Sequence, residues 1–282
     1  MKWCWMKAGA RLAVLAMAAL GVVAPSSAGD DATDAPSADD LKARLRRAEE
    51  HVRRFELRDA ADDKAIAMIG RPLLSFGDSA RNHNNGTLWA WSQSGRPLVF
   101  MELYQYSGND ATWVHAVTLT APRQVVLIIP ESGRWEPPHT PLESAPITDA
   151  PPPAEKEPAR LRQLKELARR FTVHEFWDPD NSHYDLRLLV RPVHRYADAA
   201  AEIQDGAAFI IAYGTNPEAV LLIEALGPSI DAARWRYSLA RSSHAELHVE
   251  FDGREVWRTD RASEINSGAT RPYWVFASPV EP

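Results

Sequence analysis

The densest group of polar side chains that could do chemistry is the stretch HEFWDPDNSHYD at residues 174–185. Its histidines His174 and His183 flank Asp178 and Asp180, and imidazole and carboxylate groups are common ligands of zinc and calcium. The stretch lacks the glycine of a calcium-loop turn, and no second histidine follows His174 at the spacing of a zinc-protease helix. We interpret it as a polar loop between a helix and a strand, with a metal site at these four residues as the alternative.

Paired carboxylates are a second possible kind of catalytic site. Glu102 and Glu224 could act together as general acid and base across a pseudo-twofold axis. They occupy different positions when the two halves of the chain are aligned, which weakens that picture. The chain contains no GxSxG elbow, phosphate-binding P-loop or GxGxxG motif, so hydrolase and nucleotide-binding readings have no motif behind them. We predict no catalytic residue and no cofactor.

Three residues are candidates for contact with a partner. His83 lies among asparagines in RNHNNG, where a binding loop is one reading and left-handed turn geometry the other. Trp135 and Trp177 lie in polar surroundings, where tryptophan can stack on a sugar or peptide. Trp113 has an aromatic counterpart in the other half and is predicted to pack in the core. His115, on the same strand face, is predicted to be a hydrogen-bonded core histidine.

The start of the chain has the three parts of a secretion signal. Lys2, Lys7 and Arg11 precede the apolar run LAVLAMAALGVVA, and small residues follow up to Ala28. We predict cleavage near Ala28 and a secreted or periplasmic protein, with an uncleaved anchor as the alternative. The single cysteine, Cys4, leaves with this leader, so a cysteine nucleophile or a disulfide is not expected.

Charge and hydropathy limit the classes of partner. The chain carries 32 basic and 38 acidic residues, and removal of the leader takes away basic residues and no acidic ones. Such an acidic balance, without a basic run free of acids, argues against nucleic acid. No later stretch is apolar enough to cross a bilayer. The expected partner is an envelope protein or a glycan, with no membrane span after the leader is removed.

Composition divides the chain into five segments. They are a signal peptide (1–28), a disordered acidic segment (29–40), a helix and β-meander (41–129), a proline-rich linker (130–158) and a second helix and β-meander (159–282). The two helices are predicted over about 38–60 and from near Pro158, from their three-to-four-residue apolar spacing. Nine prolines in the linker indicate an extended, semi-rigid spacer.

The two meanders have related sequences. Residues 71–104 align with 191–224 at a shift of 120 residues, with six identities in 34 that include turn glycines and prolines. We interpret this as an ancient duplication, with two unrelated meanders as the alternative. The alignment also decides between a helix and a strand for residues 216–226, whose apolar spacing fits either. Because its counterpart RPLVFMELYQY reads as a strand, we predict a strand there too.

Several stretches carry a resemblance to a known group of proteins. They are GTLWAWSQSGRPLVFMELY in the first half and LRLLVRPVHRY, DGAAFIIAYGTNPEAVLLIEALG and WRYSLARSSHAELHVEFDGREVW in the second. Through them the chain resembles a family of uncharacterised exported bacterial proteins that recurs many times within single genomes. The resemblance implies secretion and a two-part β-rich body, and it brings no activity. Ala116 departs from the acidic or aromatic residue expected after His115.

These observations predict an α+β fold, mainly antiparallel β, with two tandem helix-plus-meander repeats packed together. They favour a non-enzymatic binding or structural protein of the periplasm or cell envelope. A metal-dependent hydrolase using the 174–185 cluster is the rival. A docking scaffold that uses the proline-rich segment as its ligand is a third possibility.

Overall fold

The structure is a computed structural model. It describes residues 38–78, 80–81, 83–131, 133–138, 142–177, 182–262 and 268–280, without the side chains of Asn84 and Asp110. The predicted signal peptide and all of the acidic segment before Ala38 lie outside the described residues. Residues 38–40, predicted to end that segment, form the first turn of a helix.

The first half of the chain forms one helix and eight strands. They are α1 (Ala38–Val52), β1 (Glu56–Asp59), β2 (Ala65–Ile66), β3 (Leu74–Asp78), β4 (His83–Gln93), β5 (Arg96–Tyr106), β6 (Asn109–Leu119), β7 (Val125–Ile129) and β8 (Gly133–Trp135). Helix α1 ends before the predicted residue 60 because the chain turns at Arg53 and Arg54 and buries Phe55 just before β1.

The second half adds a helix, a short 3-10 turn at Ala199–Ala201 and ten strands. They are β9 (Ser144–Pro146), α2 (Glu157–Ala168), β10 (Phe171–Phe176), β11 (His183–Leu188), β12 (His194–Asp198), β13 (Ile203–Tyr213), β14 (Asn216–Leu226), β15 (Arg234–Arg241), β16 (Glu246–Phe251), β17 (Arg254–Thr259) and β18 (Tyr273–Pro279). Helix α2 starts where predicted, with Pro158 in its first turn. The strand prediction for 216–226 is confirmed by β14.

The strands form three sheets, and every pairing between described strands is antiparallel. Sheet 1 has the order β2-β1-β7-β8, and sheet 2 has the order β18-β6-β5-β4-β3. Sheet 3 has the order β17-β16-β10-β11-β13-β14-β15-β9, with β12 also paired to β13. The predicted α+β class, mainly antiparallel β, is confirmed.

The central strands β5 and β14 are buried on both faces, because each lies between two layers. One face of β5 packs with α1 and sheet 1 in a first core, which includes Met101. One face of β14 packs with α2, β10 and β16 in a second core, which includes Leu221. A third core joins sheets 2 and 3 through residues such as Phe100 and Leu222. The two sheets therefore stack face to face, and polar groups at the ends of this layer meet across it.

Two segments connect the halves in ways that sequence order does not suggest. Strand β18, near the end of the chain, pairs with β6 of sheet 2 through Trp274 opposite Val117. The proline-rich segment 130–158 supplies β8 to sheet 1 and β9 to the edge of sheet 3. Among the described residues, no helix has the length and apolar character needed to cross a membrane.

Candidate functional site

A cavity of about 580 Å³ lies at one end of the layer between sheets 2 and 3. We call it the junction cleft. Its walls combine two glutamates with four large aromatic side chains: Glu102, Glu218, Tyr104, Tyr106, Trp177 and Tyr273. Strands β5 and β18 of sheet 2 and strand β14 of sheet 3 all contribute residues, so neither sheet forms the cleft alone.

Glu102 and Glu218 reach the cleft because both lie on strands that are otherwise apolar. Glu102 lies two residues after Phe100 on β5, so the two side chains share a strand face and Glu102 faces the layer between sheets 2 and 3. Glu218 follows Asn216-Pro217 at the start of β14, and its carbonyl accepts the backbone N–H of Ser242 at 2.8 Å. The Ser242 hydroxyl donates to Glu102 Oε1 at 2.5 Å and so links the two sheets at the floor of the cleft.

Behind the cleft, Arg81 is surrounded by carboxylates. Its guanidinium is paired with Glu175 of β10 and Glu218 of β14, and its Nε lies 3.7 Å from Asp78 Oδ2. The side chains of Glu175 and Glu218 are completely buried. The Arg81 Cζ atom also lies 3.8 Å from the ring centroid of Trp177, a cation–π contact that fixes this tryptophan at the wall.

Acidic groups outnumber cations in this buried region. Asp78, Glu102, Glu175 and Glu218 are all buried, and Arg81 is the one guanidinium or ammonium within 4.0 Å of any of them among the described residues. Burying a carboxylate without a compensating charge is costly, so such groups hold protons more tightly. Glu102, Glu175 and Glu218 are therefore expected to be partly neutral when the cleft holds no ligand.

The pKa values of three of these glutamates are raised, as the excess of buried acids predicts. Burial and the neighbouring Glu175 raise the pKa of Glu218 to about 8, although Arg81 and nearby hydrogen bonds oppose the effect. Burial also raises the pKa of Glu175. Burial raises the pKa of Glu102 well above its usual range, with partial relief from the Ser242 hydroxyl and a further increase from Glu218.

The two oxygens of Glu218 have different surroundings, and both Glu175 and Ser243 are close to this carboxyl. Its Oε1 accepts from Asn216 Nδ2 at 2.9 Å and from Arg81. Its Oε2 is buried and has no hydrogen-bond partner of normal geometry in the described part of the chain. A buried acceptor without a partner costs free energy, which a donor on a bound molecule would recover.

Aromatic rings form the remaining wall. Tyr104 stacks on His83 with ring centroids 4.3 Å apart and meets Tyr106 edge-on at 5.7 Å. Burial raises the pKa values of Tyr104 and Tyr273 well above their usual range, so both keep their hydroxyl protons. His83 is largely neutral because burial lowers its pKa. These aromatic residues therefore offer hydroxyl donors and ring faces without adding charge, and Arg261 lines the cleft elsewhere.

The structure brings two of the predicted partner-binding residues together and separates the third. His83 and Trp177 both line the junction cleft, although 94 residues separate them. Trp135 is completely buried in the first core, and its Nε1 donates to the carbonyl of Arg271 at 2.8 Å. Trp135 offers no surface to a partner, so that part of the prediction is wrong: β8 pairs with β7 and turns the ring inward.

The predicted metal ligands are only partly described. His174 and His183 lie on the paired strands β10 and β11 with ring centroids 4.7 Å apart, and His248 stacks on His174 at 4.8 Å. Asp178 and Asp180 lie outside the described residues. Within the described ranges, no group of three or more His, Cys, Asp or Glu side chains is arranged to hold a metal ion.

Two further sequence predictions have clear outcomes. Glu102 and Glu224 do not form a carboxylate pair, because Glu224 lines a different cavity, where it binds Arg96 at 2.8 Å. His115 is a core histidine as predicted, completely buried with its Nε2 2.9 Å from Nε2 of His51. Burial and the neighbouring His51 lower the pKa of His115 to about 3.

Sequence reasoning missed the role of Glu218 and Arg81. The available signal was a glutamate next to a proline at the start of an otherwise apolar strand, NPEAVLLIEAL. Such an acid must either be exposed at the strand end or have polar partners in the interior.

Comparison of the chain with protein-family models, with curated proteins and with solved structures finds no match.

Proposed function

We propose that this chain is an exported, non-enzymatic binding protein whose junction cleft holds a small organic cation. The observation that carries the proposal is the excess of buried carboxyl groups over buried cations around the cleft. A cationic ligand would compensate that excess. Export is inferred from the leader-like start of the sequence.

The lining favours an organic ammonium group over a bare metal ion. Tyr104, Tyr106 and Tyr273 present ring faces and hydroxyls, and aromatic rings attract ammonium groups by cation–π interaction. The carboxyls near the cleft are not grouped for metal ligation among the described residues. A cavity of about 580 Å³ has the size of a typical small-molecule site.

Binding should depend on pH in a defined direction. Without ligand, Glu218 holds a proton up to about pH 8, and Glu102 is held neutral by burial. A cation binds best to the ionised carboxylates, so it must displace protons at lower pH. The neighbouring groups Arg81, Arg261, His83 and His244 do not reverse this direction. Affinity for a permanently charged ligand should therefore rise with pH.

The test uses the protein without its predicted leader, residues 1–28. Isothermal titration with n-butylammonium at about pH 6 and about pH 9 should show tighter binding at the higher pH and proton release at the lower one. n-Butanol, which has the same apolar body, should not bind. Glu218→Gln should weaken n-butylammonium binding by about tenfold or more, because it removes a charge-assisted contact. Glu166→Gln, on the exposed face of α2, is the matched control.

Two results would reject the proposal. One is equal binding of n-butanol and n-butylammonium, which would make the cleft a site for neutral molecules. The other is saturable n-butylammonium binding that Glu218→Gln leaves unchanged. The rival metal-dependent hydrolase is supported by the proximity of His174 and His183, and metal analysis of the purified protein tests it.

We also propose that the two halves are tandem copies of one helix-plus-meander unit. Three consecutive strands have equal lengths and starts 120 residues apart, as β3, β4 and β5 correspond to β12, β13 and β14. Their pairing register also corresponds, with Phe76 opposite Gly86 and Tyr196 opposite Gly206. In each case an added Cβ on the glycine would lie within 3.0 Å of the facing ring. This shared ring-on-glycine contact supports common descent better than the few identities do.

A further inference from the structure

A second cavity, of about 600 Å³, lies at the other end of the layer between sheets 2 and 3. We call it the hairpin cleft, because the β4–β5 turn forms one side. Its lining corresponds to that of the junction cleft at the shift of 120 residues: Tyr104 and Tyr106 correspond to Glu224 and Leu226 here, and Glu218 corresponds to Leu98. The two clefts share a backbone frame and differ in chemistry.

Three arginines line this second cleft, which also contains acidic side chains. Arg96 is buried, and its Nε donates to Glu224 at 2.8 Å. Arg123 donates to Asp59 at 2.5 Å. Arg236 donates to Ser144 through Nε at 2.9 Å to the hydroxyl and through Nη2 at 2.6 Å to the carbonyl. Three guanidinium groups thus reach one cavity from different elements of the fold.

The acids of the hairpin cleft are already engaged. Glu224 accepts from Arg96 and from the Tyr196 hydroxyl at 2.7 Å. Asp59 pairs with Arg123. Asp198 uses Oδ1 to accept the backbone N–H groups of Ala200 and Ala201 at 3.1 and 3.2 Å, at the start of the 3-10 turn.

Arg236 therefore has a charge without a paired acid. It is half-buried, and among the described residues its guanidinium is bonded to Ser144 and has no carboxylate within 4.0 Å. It lies directly opposite Glu224 in the β14–β15 pairing, so both side chains face the same side of the sheet. Its Nε and Nη2 already donate to Ser144, which leaves Nη1 and the second N–H of Nη2, at the end of the guanidinium, for bidentate binding of an oxyanion.

We propose that the hairpin cleft binds the carboxylate of an organic acid, with Arg236 holding the carboxylate and apolar walls holding the rest of the molecule. The walls include Leu98, Ile203 and Leu226, and they suit a ligand with an apolar body better than free inorganic phosphate. This site is separate from the junction cleft. The strand β4, which has one end at each cleft, spans 11 residues, or about 33 Å.

The experiment titrates hexanoate and inorganic phosphate separately into the protein without its leader. Hexanoate should bind saturably at this site, and phosphate should bind more weakly by about tenfold or more, because it lacks the apolar body. Arg236→Gln should weaken hexanoate binding by about tenfold or more. Arg234→Gln is the matched control, because Arg234 is on the same strand and outside the cleft.

Each alternative outcome is decisive. Phosphate binding as tight as hexanoate binding would show a simple anion site and overturn the proposal. Absence of hexanoate binding, or equal binding by Arg236→Gln and the unaltered chain, would also overturn it. The comparison of hexanoate with phosphate on the unaltered chain needs no variant. Arg236→Gln should keep n-butylammonium binding, so failure here is distinguishable from failure of the junction-cleft proposal.

Discussion

Replacement of Glu218 by glutamine should make the stability of the protein less dependent on pH. Burial places the pKa of Glu218 at about 8 in the folded protein, against an ordinary value of 4.5 that applies when the chain unfolds. Between these values the folded state holds a proton that the unfolded state has released, so the free energy of unfolding falls as pH rises. At about 1.4 kcal/mol per pH unit, the loss is at most about 5 kcal/mol by pH 8, since Glu175 competes for the same proton.

Glutamine is the appropriate substitution because it imitates the protonated carboxyl. Its Oε1 can accept from Arg81 and Asn216 as Glu218 does, and its amide takes the position of the oxygen that has no normal partner. We therefore expect similar stability to the unaltered protein at about pH 5, and a gain of several kcal/mol at about pH 8.5.

Urea unfolding followed by tryptophan fluorescence at a series of pH values measures this difference. The buried Trp89, Trp91 and Trp135 give the signal. The control Glu166→Gln, on an exposed position, should reproduce the pH dependence of the unaltered chain. If Glu218→Gln and the unaltered chain lose stability in parallel from pH 5 to pH 8.5, Glu218 does not carry a buried proton and the electrostatic argument for the cleft fails.

Three further outcomes are expected. Gly206→Ala should cost about 1–3 kcal/mol in urea unfolding, since its Cβ would lie 2.7 Å from the Tyr196 ring, whereas Gly70→Ala, with nothing within 4 Å, should stay within about 0.5 kcal/mol. Trp135→Phe should cost about 2 kcal/mol or more by the same measurement, because it removes buried volume and a hydrogen bond to a carbonyl. Elemental analysis should find zinc and calcium below one equivalent, with no change in His183→Ala; a stoichiometric metal that this variant loses would favour the hydrolase.

Local patterns predicted the strands well where turn residues fixed their ends. The Asp252-Gly253 turn gives the β16–β17 hairpin, and both residues adopt positive φ as such a turn requires. The apolar run of β14 was ambiguous by spacing alone, and comparison with β5 decided it. Strand pairing between distant segments was beyond prediction. Nothing in the sequence near Trp274 specifies that it pairs with β6.

The site was harder to predict, because its residues are assembled by the stacking of two sheets. The polar surroundings of His83 and Trp177 in the sequence predict contact with a partner, and the two residues do meet in one cleft. The same reasoning failed for Trp135, since a short strand with exposed neighbours can still bury one side chain completely. Glu218 was overlooked because a glutamate in an apolar strand has no local motif, and its partner Arg81 is 137 residues away.

Sheet 2, formed mainly by the first half of the chain, cannot be completed until strand β18 near the end of the chain has been synthesised. Sheet 2 receives its fifth strand when residues 273–279 have left the ribosome, and the same strand brings Tyr273 to the junction cleft. The earlier part of the chain must therefore wait with the edge of β6 unpaired, which is the kind of edge that other chains can join. Release of the whole chain before folding begins would shorten that exposure.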